Sequence, residues 1–283
     1  MKRILVLFAA VCMILCSCGK ESVPAAQTEE KDGITEQTEQ TEQPNTTEET
    51  KKPLKREEAG HQKTVVIDPG HGYGDVGCGG PESKIGYYEY FYTTDMAKAL
   101  KSSLESRGYI VYLTHDGESF PSLSKIKSLA DEWGVEYDET KDTWAENNIF
   151  SPYERVIYIN CLDAMYGVDF SISIHVNANA ESDTLSGFDL DYCKENEWSS
   201  ESFEIVKKIR SMIYNEYPGR NLYLYADSWD DSFVVTKYNS MPSALFETGY
   251  STCDADAALI TDPVWRNTLM DNLAEAVAGA LEE

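Results

Sequence analysis

Four side chains in this sequence have the types and placement to do chemistry together: His71, Glu89, His175 and Glu247. His71 follows the run Thr64-Val65-Val66-Ile67-Asp68-Pro69-Gly70, which reads as a buried β-branched strand stopped by proline and glycine. His175 ends a second run, Ser171-Ile172-Ser173-Ile174, and Glu247 ends a third, Ser243-Ala244-Leu245-Phe246. In open α/β sheets, ligands bind outside the carboxyl ends of the strands. If these strands are neighbours, the three polar ends meet at one edge. Two imidazoles and a carboxylate suit Zn²⁺, and a catalytic zinc keeps an open position beside three protein ligands. Such a site needs another carboxylate as a base, because the attacking water must give up a proton. Glu89, at the start of the first helix, is the best second carboxylate. Glu82 competes with it. His115, just past another strand, is a spare ligand or, more simply, a surface histidine.

Alternating elements must position these groups. Strands are expected at 64–67, 109–114, 169–174, 187–192, 233–236 and 243–246. Helices are expected at 88–107, 123–133, 153–166, 201–214 and 262–281. The first helix carries Met96, Leu100 and Leu104 on one face, and Gly108 stops it. Asp262 and Pro263 read as the N-cap and first position of the last helix. The alternation predicts an α/β domain, and the short consecutive strands predict a mixed sheet.

Residues 1–18 read as an export signal: Lys2 and Arg3, an apolar stretch from Ile4 to Leu15, then Leu15-Cys16-Ser17-Cys18. The apolar stretch is too short to span a bilayer. Its end resembles a bacterial lipobox, with Cys18 the residue that becomes diacylated. The plainer alternative is a cleaved signal followed by a free thiol. Two acyl chains on Cys18 would give stable anchoring. Residues 19–61 are rich in Glu, Thr, Gln, Pro and Lys and read as a disordered acidic tether. The formal net charge is −25. Only eleven acidic and six basic residues lie in 19–60, so the acidity belongs mainly to the folded part. This balance excludes nucleic-acid binding. Cys78, Cys161, Cys193 and Cys253 form no CxxC pair, which argues against a thiolate metal site. They either pair as two disulfides or stay reduced.

Asp68-Pro69-Gly70-His71-Gly72, the Glu89 helix, Ser173-Ile174-His175-Val176-Asn177-Ala178 and Phe246-Glu247-Thr248-Gly249-Tyr250 together resemble the zinc-dependent N-acetylmuramoyl-L-alanine amidases. The resemblance covers about residues 62–283, and the ordered set of four motifs carries it. It implies a single α/β domain with a twisted, mostly parallel six-stranded sheet flanked by helices. It also implies zinc held by His71, Glu89 and His175, with Glu247 as the catalytic carboxylate. The implied substrate is peptidoglycan, cut at the amide between N-acetylmuramic acid and L-alanine. Arg155 and Asn160 match family positions on the helix before the second histidine strand, where a structural role is expected.

Residues 117–151 make an insertion longer than the family's usual connection. Its aromatics Phe120, Trp133, Tyr137, Trp144 and Phe150 suggest a wall or lid over the substrate groove. The whole then reads as an extracytoplasmic cell-wall hydrolase, membrane-bound through its lipid anchor alone and expected to be a monomer. Two other classes compete: an inactive lipoprotein that holds peptidoglycan fragments, and a zinc hydrolase of another amide.

Overall fold

A computed structural model describes residues 61–142, 150–228, 230 and 232–282. The proposed signal, Cys18 and nearly all of the tether lie outside these residues, as does Trp144. The elements in order are β1 (Thr64–Pro69), α1 (Glu89–Ser106), β2 (Ile110–Leu113), α2 (Leu123–Trp133), α3 (Pro152–Tyr166), β3 (Phe170–Asn177), β4 (Phe188–Cys193), α4 (Ser199–Glu216), β5 (Leu222–Asp227), α5 (Val234–Lys237), β6 (Ser243–Tyr250), α6 (Asp254–Thr261) and α7 (Pro263–Leu281).

The strands form one six-stranded sheet in the order β2-β1-β3-β6-β4-β5. Every pairing is parallel except β4 with β6. The expected mixed, mostly parallel sheet is therefore present. The three strands that end in His71, His175 and Glu247 are neighbours, β1-β3-β6. They are buried on both faces, which explains their near-continuous apolar runs.

Strand alternation divides the sheet into two environments. One face presents Val65, Ile67, Ile172, Ile174, Leu190 and Phe246 to a core shared with α1, α4 and α7. Met96, Leu100 and Leu104 of α1 are buried there, as their spacing predicted. On the other face, Val66 packs with Ile159, Leu162 and Met241. Next to this cluster, α2 lies on α3 through Ile126, Leu129, Val156 and Ile157. Local signals set the helix ends. Ser151 and Glu154 close a capping box ahead of Pro152, and Gly167 at φ 69° ends α3. Asp262 accepts from the Val264 N–H at 2.9 Å, capping α7 as expected.

Three expectations give way. Residues 233–236 are not a strand: Val234–Lys237 is the short helix α5, where the Val-Val-Thr run satisfies strand propensity but not the context. The edge strand β5 was missed, although Leu222 faces the core while Tyr223 and Tyr225 face solvent, a period-2 signal. The helix α6 was missed too. Cys78, Cys161, Cys193 and Cys253 are all free thiols.

Candidate metal centre

Each ligand candidate is delivered by a different element. His71 stands just past β1, at φ 66°, in a tight turn closed by the Gly72 N–H to Asp75 carbonyl bond of 2.6 Å. A non-glycine residue in this region costs on the order of 1–3 kcal/mol and persists only where its surroundings fix it. Here Arg155 of α3 supplies the fixation. Its guanidinium donates to the His71 carbonyl and, at 2.5 Å, to the Pro69 carbonyl. The same group lies 3.3 Å from the buried Asp68 carboxylate, whose pKa burial would raise but the Arg155 charge lowers. The structural role expected of Arg155 is thus a specific one: it anchors the loop that carries His71. Asn160 is structural as well, joining α3 to residues 238 and 240.

Glu89, the first residue of α1, is buried, and its two oxygens split between the histidines. Oε2 lies 3.1 Å from His71 Nε2, and Oε1 lies 3.1 Å from His175 Nδ1. Backbone N–H groups of Cys78 and Val176 donate to the same carboxylate at 2.9 and 2.8 Å. One ligand atom from each of His71, Glu89 and His175 lies within 4.8 Å of the others. Among the described residues this is the one group of that kind. Glu82 is not part of it.

The second nitrogen of His71 is also engaged: Nδ1 lies 2.8 Å from Asp75 Oδ2. A carboxylate on the far nitrogen of a ligating histidine fixes the ring and its tautomer. Asp75 was missed in the sequence, although it stands four residues after His71 in the same glycine-rich run. Electrostatics agree with this geometry. Burial alone would lower the His71 pKa, but Glu89 and Asp75 outweigh it and push it up to about 10. Burial would raise the pKa of Glu89, yet the two imidazoles hold it far below the usual carboxylate range. The field that keeps a proton on His71 is the field a divalent cation requires. Two glycines leave room for the cluster. A Cβ at Gly77 (φ 68°) would stand 2.5 Å from Glu89 Oε2 and 2.7 Å from His71 Cδ2, and one at Gly70 would strike the His175 ring.

Glu247 of β6 is the direct register partner of His175 on β3. It is buried, and its Oε2 has no hydrogen-bond partner. Its pKa is raised well above the ordinary value, first by burial and then by the negative charges of Glu89, Asp191 and Asp189. Asp189 lies opposite Glu247 on β4. It accepts from the Tyr250 hydroxyl at 2.7 Å and from Asn177 Nδ2 at 2.8 Å. A lone aspartate inside a strand gave no signal of this role. A cavity of about 530 Å³ opens over the cluster. His71, Glu89, His175 and Glu247 line it, and Phe233–Val235 form one wall.

One expectation about the surroundings changes. His115 is not on the surface but buried, with Nε2 2.8 Å from the Pro69 carbonyl and 3.2 Å from Arg155. Among the described residues of the 117–151 insertion none lines the cavity, and Phe120, Trp133, Tyr137 and Phe150 turn toward α3 and the His71 loop; residues 143–149 of the expected wall lie outside the described residues.

Comparison with known proteins agrees with this fold. The chain is 25% identical over 215 residues to N-acetylmuramoyl-L-alanine amidase LytC of Bacillus subtilis, covering 76% of this chain and 34% of that protein. It is 24% identical over 233 residues to a Staphylococcus saprophyticus protein described as "Probable cell wall amidase LytH", covering 82% of this chain and 61% of that one. The chain thus spans less than two thirds of either relative. The crystal structure of N-acetylmuramoyl-L-alanine amidase from Clostridium difficile 630 superposes with a TM-score of 0.57 at 21% identity, covering 79% of this chain and 98% of that one. Cwp6 from Clostridium difficile superposes with a TM-score of 0.58 at 22% identity, covering 78% of this chain and 29% of that one. Both share the fold. The family profile described as N-acetylmuramoyl-L-alanine amidase matches residues 65–279, and the chain belongs to that family.

Proposed function

We propose that this protein is a zinc-dependent cell-wall hydrolase that cleaves the amide between N-acetylmuramic acid and L-alanine in peptidoglycan. The observation that carries this reading is the convergence of His71, Glu89 and His175, with Glu247 beside them in register. Two imidazoles and a carboxylate, all buried or partly buried, form a donor set that fits Zn²⁺. A zinc ion bound there supplies Lewis acidity toward the scissile carbonyl and toward the water that attacks it.

The protein's own groups do the rest. Asp75 fixes the His71 ring so that Nε2 faces the ligand cluster. Glu89 is locked by two backbone N–H donors and cannot turn away. Glu247 is buried and presents an unpartnered oxygen, and burial makes a carboxylate a stronger base. It takes the proton of the attacking water at Oε2 and delivers it to the leaving L-alanine nitrogen. The products are a free lactyl carboxylate on the sugar and a stem peptide with a free amino terminus. Peptidoglycan is the partner in this reading. Cys18 is the lipidation site in this reading, and the enzyme acts outside the cytoplasm, held at the membrane by its acyl chains.

The test is to incubate the purified protein with peptidoglycan and sequence the released peptides. Peptides that begin at L-alanine, with their release abolished by a zinc chelator and restored by Zn²⁺, are the expected result. Peptides cut elsewhere, or none, would remove the assignment.

A further inference from the structure

The loop that carries His71 is gripped from outside by the insertion. Tyr73, two residues after His71, also takes a positive φ, 52°. Such a backbone is stable only where packing over-determines it. The Tyr73 ring lies 4.0 Å from Phe120 between centroids and meets His115 edge-on at 5.3 Å. Phe120 in turn stacks on Phe150 at 5.2 Å, with 29° between the planes. Phe150 closes the circuit: its carbonyl accepts from Arg155 Nε at 3.2 Å, and its ring lies 5.1 Å from the guanidinium. That guanidinium holds the His71 carbonyl. Phe120 stands near the start of the insertion and Phe150 near its end.

We propose that Phe120 is a positioning residue for the metal centre. With Phe150 it clamps Tyr73 and so keeps the 71–75 turn in the geometry that places both His71 and its orienting partner Asp75. The proposal rests on the reading that His71, Glu89 and His175 hold zinc. Three observations separate this role from ordinary packing. Phe120 is 38% exposed, so it is not needed to fill the core. Its ring lies against a residue of the ligand loop, Tyr73, tilted by 44°. And because no described insertion residue lines the cavity, its effect must pass through the loop and not through contact with substrate.

The experiment uses the full chain and measures the zinc dissociation constant by competition with a chromophoric chelator. The wild type is compared with Phe120→Ala, Phe120→Tyr and Leu129→Ala. Leu129 is buried in the α2–α3 layer, against which Tyr73 also packs, but it makes none of the ring contacts that tie Phe120 to Tyr73 and Phe150, so its truncation loosens the layer and leaves those contacts in place. The visible spectrum of the cobalt(II)-substituted proteins gives a second readout, sensitive to ligand geometry. The expected result for Phe120→Ala is about a tenfold weaker affinity, the size seen when groups behind metal ligands are removed, with an altered cobalt spectrum. Phe120→Tyr keeps the ring and restores both. Leu129→Ala lowers the unfolding temperature more than Phe120→Ala yet keeps the wild-type affinity. An unchanged affinity in Phe120→Ala, or an equal weakening in Leu129→Ala, would overturn the proposal. Failure of the wild type itself to bind zinc would overturn the metal reading and this one with it, and is seen before any variant is made.

Discussion

At the scale of single residues, the site separates holding from reacting. His71 and His175 both meet Glu89, while Asp75 holds the far nitrogen of His71 and two backbone N–H groups hold the Glu89 carboxylate. Glu247 has an oxygen committed to nothing. Glu247→Gln keeps the shape of the side chain and removes its basicity. It should retain one zinc per chain while peptide release falls on the order of 10²- to 10⁴-fold, the usual worth of a positioned base. Metal content by emission spectrometry, set beside release rates, distinguishes this from a loss of metal. His115 gives a second test, through pH. Burial, and then the Arg155 charge, push its pKa down to about 4 from the ordinary 6.5. The imidazole is therefore neutral in the fold, and between these values the unfolded chain binds the extra proton. Stability from neutral His115 is fully present above pH 6.5 and is lost as pH falls toward 4. Chemical denaturation of the metal-free protein should show the wild type losing about 2 to 3 kcal/mol more than His115→Gln between neutral pH and pH ~4.5. Parallel losses in the two proteins would mean that His115 does not carry this linkage.

At the scale of elements, the loop after β1 tolerates little. At Gly77 a methyl group meets Glu89 and His71 while the backbone sits at φ 68°, so both strain and collision oppose it. Gly77→Ala should abolish tight zinc binding, whereas Gly134→Ala, also at positive φ but with open space around it, should cost stability alone. Calorimetric zinc titration of the two variants makes the comparison. The parts of the site that were legible in the sequence share one property: each is announced by an element's end. Pro69 and Gly70 mark the stop before His71, and the apolar runs of β3 and β6 stop at His175 and Glu247. What was illegible depends on tertiary approach. Asp189 looks like any strand aspartate until the antiparallel β4–β6 pairing sets it opposite Glu247. His115 follows a strand as a surface residue would, but Arg155 and the Pro69 carbonyl draw it inward. The Val-Val-Thr run of α5 carries strand propensity that its surroundings override. The insertion's aromatics announced packing but not its direction, which the contacts of Phe120, Trp133, Tyr137 and Phe150 with Tyr73 and α3 reveal.

At the scale of the whole molecule, the question is what keeps such an enzyme at the wall. The net charge of −25 makes electrostatic attraction to an anionic membrane surface unfavourable. Among the described residues, no helix is long and apolar enough to cross a membrane. In the proposed reading, membrane attachment falls to Cys18. Two acyl chains suffice for stable attachment where one gives only reversible binding. In that reading the proposed catalytic groups, all from residue 71 onward, do not depend on the anchor. Cys18→Ala should accordingly incorporate no labelled palmitate and move from the membrane fraction to the soluble fraction. Its zinc content and its rate of peptide release from dissolved peptidoglycan fragments should stay at wild-type values. Raising the salt concentration should leave the wild type on the membrane, because acyl insertion is not screened as charge contacts are. A Cys18→Ala protein that remains membrane-bound would sink the anchor reading. If it were then released by salt, the folded domain would instead carry a charge-based membrane contact that its overall acidity conceals.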